Sequence, residues 1–156
     1  MPDATTILIC YDGSDRAKHA IEVAARLFPG ATAKVVHVWE PIEHVVARYA
    51  VLSPYLGENI ATADADVAQQ SASLADEGTK LAADAGLDAS THNATLETTV
   101  WEAVVGAAEE LDAAVIITGT RGLRGVREVL AGTLSHALLQ HSAIPLLAIP
   151  LPSDER

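Results

Sequence analysis

One cysteine, one phenylalanine and one methionine stand in 156 residues, aromatics make up only 4%, and 10 basic side chains face 21 acidic ones. Each scarcity excludes something. A lone Cys10 forms no internal disulfide, and inside an apolar run a free thiol behaves as a small hydrophobe. Few aromatics leave the core to Ala, Val, Leu and Ile. The formal net charge of -11 works against non-specific binding to nucleic acid or anionic lipid. No apolar run approaches the length of a membrane span, and the opening MPDATT has neither the basic nor the apolar region of a signal peptide, so a cytoplasmic protein is expected. The chain also lacks the Walker A lysine motif, Gly-x-Gly-x-x-Gly, Gly-x-Ser-x-Gly and any cysteine pair. His37, His136 and His141 form no pair with metal-ligand spacing, since 136 and 141 diverge on a helix, and all three read as structural.

What is present is an alternation of strand-like and helix-like segments. Thr6 to Tyr11 reads as a strand. Asp12-Gly13-Ser14 is a turn with Ser14 as helix N-cap, and a helix follows from Asp15 to about Phe28 with Ala17, Ala20, Ile21, Ala24 and Leu27 inward. Ala33 to Trp39 is a second strand. Residues 40 to 63 show no clean period and form either a lid beside a site or a plain connection. A helix from Asp64 to Ala85 carries Val67, Leu74 and Leu81 as its core stripe and stops at Gly86. Ala89 to Leu96 is a third strand, poor in apolar residues and therefore placed at a sheet edge. Thr99 to Leu111 is a helix with Val100, Val104, Ala107 and Ala108 inward. Ala113 to Thr118 is a fourth strand ended by Gly119, a helix runs from Gly132 to His141, and Ile144 to Ile149 is the last strand. The class is α/β: one domain, a parallel sheet, helices on both faces.

Between the fourth strand and the last helix the glycines fall as Gly-x2-Gly-x9-Gly-Thr, at Gly119, Gly122, Gly132 and Thr133. Such a loop can turn backbone N–H groups toward one point, and the helix start beyond it attracts anions. Arg121, Arg124 and Arg127 lie in the same stretch, and a guanidinium suits phosphate oxygens. Phosphate binding is one reading; a solvated turn with surface arginines is the other. Asp12 has two readings as well, as turn chemistry and as an acceptor for ribose hydroxyls at a strand's carboxyl end.

The glycine pattern, the flanks VIITGTRG and SAIPLLAIP and the early ILICYDGS resemble the ATP-binding branch of the universal stress protein family over nearly the whole chain. The resemblance implies a five-stranded sheet of order 3-2-1-4-5, adenine-nucleotide binding and homodimerisation. In that order the ends of strands 1 and 4 adjoin, which brings Asp12 and Gly119 into one pocket. Carried over by position, Cys10 and Asp12 border the nucleoside and Val38 meets adenine through its backbone. Gly119, Arg121 and Gly122 line the phosphates, with Arg124 in the same loop, and Gly132, Thr133, Leu134 and Ser135 supply donors from the other side. Thr118 stands where the family commonly has a larger apolar residue.

The function so implied is an ATP-holding sensor or switch, with Mg2+ as companion. The alternatives are a slow ATPase or self-phosphorylating enzyme, with Thr133 or Ser135 as acceptor, and an acidic interaction module whose glycine loop holds no ligand. The homodimer is expected to join along Ile144 to Ile149, an edge strand in that order, with the Leu147 N–H taken as the group that pairs across the two-fold axis.

Overall fold

Ile7, Leu8 and Ile9 have 0% exposure, so the first strand has to be covered on both faces, and the architecture follows from that requirement. In the computed structural model, which describes residues 5–41, 44, 60–120 and 134–152, β1 (Thr6–Cys10) is the middle of a five-stranded sheet. The order is β3-β2-β1-β4-β5, with β2 (Thr32–Trp39), β3 (Asp88–Thr95), β4 (Val115–Thr120) and β5 (Leu146–Pro150) all parallel to their neighbours. This is the order that the resemblance implied, and β3 occupies the edge that its low apolar content called for.

Side chains alternate across a strand, and here both sets find helices. Ile7, Ile9 and Tyr11 pack with Ala17, Ala20, Ile21 and Ala24 of α1 (Asp15–Leu27) and with Ala82 of α2 (Ile60–Asp84). Leu8 and Cys10 pack on the other face with Val104, Ala107 and Ala108 of α3 (Val100–Glu110) and Leu138 of α4 (Leu134–His141). Each large aliphatic side chain buried this way stabilises the fold by about 1.5–3 kcal/mol. The helix starts follow their sequence signals. Ser14 caps α1 by accepting the Ala17 N–H at 3.3 Å, and Thr99 caps α3 by accepting the Glu102 N–H at 3.3 Å. Gly13, at φ 79, supplies the left-handed turn between β1 and that cap. None of the described helices is long and apolar enough to cross a membrane.

Several expectations need correction. β4 does not end before Gly119; it runs to Thr120, with Gly119 paired to Ile149 and Thr120 to Pro150. α2 begins at Ile60 rather than Asp64, so residues 60–63 are helix and not loop. The lid expected over residues 40 to 63 otherwise lies mostly outside the described residues. The core stripe of α2 is also shifted. Val67 is 37% exposed, Leu74 and Leu81 are half-buried flanks, and the buried line is Ser71, Ala75 and Ala82 with Gly78 over the Tyr11 ring. Small residues win those positions because the helix lies close on the sheet there. Leu27 and Val100, both expected inward, are 56% and 41% exposed at the ends of their helices.

The Leu147 N–H is likewise not an edge group. Ile116 donates its N–H to the Pro145 carbonyl at 2.9 Å, with Ile116 in register with Leu146. In a parallel ladder the main-chain groups of alternate residues point the same way, so Pro145, Leu147 and Ile149 turn theirs toward β4. Leu146 and Ala148 carry the outward N–H groups. Pro150, at the next outward position, has none.

Candidate functional site

After β1 the chain turns to α1 on one face, and after β4 it reaches α4 on the other, while β1 and β4 lie paired from Ile7↔Val115 to Ile9↔Ile117. This reversal of winding opens a crevice at the carboxyl ends of the two strands. A cavity of about 130 Å³ occupies it, lined by Cys10, Tyr11, Asp12, Ser14, Arg16, Ala17, Val36, His37, Val38, Val100, Val104, Thr118, Gly119 and Leu134. Cys10, Asp12, Val38, Gly119 and Leu134 from the sequence-derived set are therefore together at one site. Ser135 is half-buried in the first turn of α4 and is not part of that lining. Arg121, Gly122, Arg124, Gly132 and Thr133 lie outside the described residues.

The walls are apolar and the rim is polar. Burial, helped by the Asp12 charge, pushes the Cys10 thiol up to about 12, so the sulfur is a neutral wall atom at ordinary pH and no nucleophile. Asp12 is exposed on the rim, and its Oδ1 accepts the Ser14 N–H at 3.0 Å and the Ser14 hydroxyl at 2.5 Å. It performs the turn chemistry with that oxygen, while Oδ2 has no partner among the described residues, so the two readings of Asp12 are compatible. His37 Nδ1 lies 2.9 Å from the Tyr11 carbonyl oxygen. A carbonyl only accepts, so Nδ1 carries the hydrogen and, in the neutral ring, Nε2 is left as an acceptor. His37 is thus structural, as expected, but it also borders the cavity. Thr118, 5% exposed, donates its hydroxyl to the Gly119 carbonyl at 3.2 Å.

Two ties hold the rim in place. The Tyr11 hydroxyl donates to Glu77 Oε1 at 2.6 Å, and Lys18 Nζ reaches the same oxygen at 3.3 Å, so α1 and α2 are both fastened to the end of β1. The Tyr11 and Lys18 bonds hold the Glu77 carboxyl below the usual range, and burial with the Glu77 bond raises the Tyr11 hydroxyl. On the opposite face Trp101 stacks on His141 with ring centroids 4.6 Å apart, joining α3 to α4 and giving His141 a structural role. Sequence reasoning missed Ser14, Arg16, Val36, Val100 and Val104 as lining residues. The first two were within reach of it, being the polar residues next after Asp12-Gly13 that are not acidic.

A larger open cleft, about 850 Å³, runs along the outer side of α1 past Lys18, His19, Glu22 and Arg26 to Leu151 and Pro152. Its floor is helix surface rather than strand ends, and two of its charged side chains are already engaged, Lys18 with Glu77 at 3.3 Å and His19 with Glu22 at 3.4 Å. We therefore take the smaller cavity at the strand ends as the functional one. Among the described residues no group of three or more His, Cys, Asp or Glu is arranged to hold a metal ion.

The model of the universal stress protein family matches residues 4–150. The universal stress protein YxiE of Bacillus subtilis (strain 168) is 27% identical over 147 residues, covering 92% of this chain and 97% of its own. A universal stress protein solved in complex with cAMP has the same fold, with TM-score 0.64, 18% identity and coverage of 93% of this chain and 96% of that one. So has the universal stress protein from Archaeoglobus fulgidus in complex with dAMP, with TM-score 0.58, 20% identity and coverage of 96% and 99%.

Proposed function

The chain belongs to the universal stress protein family, and from that premise we propose that it is a regulatory protein that binds an adenine nucleotide, ATP with Mg2+, and responds to its occupancy. The observation that carries this reading is the cavity at the β1/β4 switch point, whose apolar walls suit a nucleobase and whose rim holds a carboxylate. Related structures that hold cAMP and dAMP support an adenine nucleotide as the ligand class.

The described residues fit one end of such a ligand. At about 130 Å³ the cavity is smaller than the roughly 300–1,000 Å³ usual for a whole small-molecule site, which supports its taking the base with the rest of the ligand outside. Val36, Val38, Val104 and Leu134 would flank the base, and the free Asp12 oxygen would accept a ribose hydroxyl. The phosphates would then fall to the glycine motif, on sequence grounds, with its N–H groups and arginines as donors. Mg2+, when bound with the nucleotide, would offset part of the phosphate charge. The same reading includes a homodimer joined along β5.

Small molecules released from the purified, denatured protein test it. Mass spectrometry is expected to find an adenine nucleotide in an amount comparable with the protein. Protein that releases none and also ignores added ATP would favour the interaction-module reading instead.

A further inference from the structure

Resting on the nucleotide reading above, we propose that Arg16 sets the ligand class of this cavity, its guanidinium taking the phosphate nearest the ribose, so that the site accepts adenosine monophosphates as well as ATP. Arg16 is half-buried and lines the cavity, and it is the sole Lys or Arg in that lining among the described residues. Lys18 and His19, its neighbours on α1, are paired with Glu77 and Glu22, whereas the Arg16 guanidinium makes no hydrogen bond or ion pair among the described residues. Its position makes this more telling. It stands in the first turn of α1, directly after the Ser14 cap and Asp15, where the helix already presents partial positive charge and a cation is disfavoured. An anion at that point relieves both.

Position along the site selects which anion. A methyl group built on Gly119 would lie 2.6 Å from the Arg16 carbonyl oxygen and 2.9 Å from its Cβ, so Arg16 rests against the end of β4, beside the root of the glycine stretch. Asp12, the rim carboxylate, is four residues before it, in the turn that leads into α1. Arg16 thus stands between the group suited to ribose and the end of β4, the side of the cavity on which a first phosphate would lie. Neither of the two nearby acids forms an ion pair with it among the described residues. Asp12 is tied through Oδ1 to Ser14, Asp15 is exposed, and neither is bonded to Arg16. In a chain of net charge -11 a local guanidinium is also what offsets repulsion of an incoming anion, and its planar fork matches two phosphate oxygens.

Titration calorimetry of the wild type, Arg16→Gln and Arg16→Lys with adenosine, AMP and ATP tests the proposal. Arg16→Gln is expected to weaken AMP and ATP by a similar factor, about tenfold or more, and to leave adenosine affinity unchanged without lowering the melting temperature, with Arg16→Lys recovering part of the loss. Loss for ATP with AMP unaffected would move Arg16 to the distal phosphates, and equal loss for adenosine would make it a packing residue. Either result overturns the proposal, as does unchanged binding of all three ligands. A wild type that binds neither AMP nor ATP would instead overturn the nucleotide reading, and this inference with it.

Discussion

Gly119→Ala is expected to destabilise the protein by about 2 kcal/mol or more, because the new methyl group meets main chain and not open space. It would lie 2.6 Å from the Arg16 carbonyl oxygen and 2.7 Å from the carbonyl carbon, so the first turn of α1 has to move off the sheet. The melting temperature should fall by about 5 °C or more. Gly106→Ala is the control: Gly106 sits inside α3 with nothing within 4 Å of an added methyl group, and there alanine is expected to stabilise by about 0.5–1 kcal/mol. Thermal unfolding of both variants decides the point. If Gly119 were glycine only so that phosphate can approach, Gly119→Ala would keep the wild-type melting temperature and lose ligand affinity alone.

The second large effect concerns the free edge of β5. Leu146 and Ala148 hold the N–H groups turned away from β4, and bare edge groups of this kind invite pairing with another strand. A two-fold copy of β5 satisfies them, and in a two-fold interface each substitution removes its bond twice. At about 1 kcal/mol per bond, Ala148→Pro should raise the dimer dissociation constant about thirtyfold or more while leaving β4 and β5 joined. Leu147→Pro should behave differently, because it removes a donor from the β4 ladder and so damages the fold itself. Light scattering with circular dichroism separates the two. A monomeric wild type, or a folded Ala148→Pro protein as dimeric as the wild type, would refute this interface.

That contrast shows where sequence reading stops. The strands of the sheet could be read because each is a compact apolar run, or for β3 a β-favouring run, punctuated by turn residues, and the alternation with helices then allows few topologies. Which N–H faces an edge cannot be read the same way, since it depends on the register of Ile116 with Leu146 and no residue type announces it. The shifted stripe of α2 has a related cause. Val67, Leu74 and Leu81 are the conspicuous apolar residues, but Tyr11 and Val35 press against Gly78, so the inward line is made of the smallest side chains available. Gly119 misleads in the same manner. A glycine after an apolar run looks like a strand end, whereas here it is a strand residue kept small by the helix packed across it. At the site, Cys10, Asp12 and Val38 came from the resemblance by position. Arg16 did not, because its place in the lining comes from a cavity assembled by residues far apart in the chain.

The most direct test of nucleotide binding is a calorimetric titration of folded wild type and Gly122→Val/Gly132→Val with ATP. The double variant places Cβ branches where phosphate would approach the backbone. Measurable ATP binding by the wild type that disappears in the variant is the expected result. Equal affinity in the two would contradict the account by removing the glycine motif from the site.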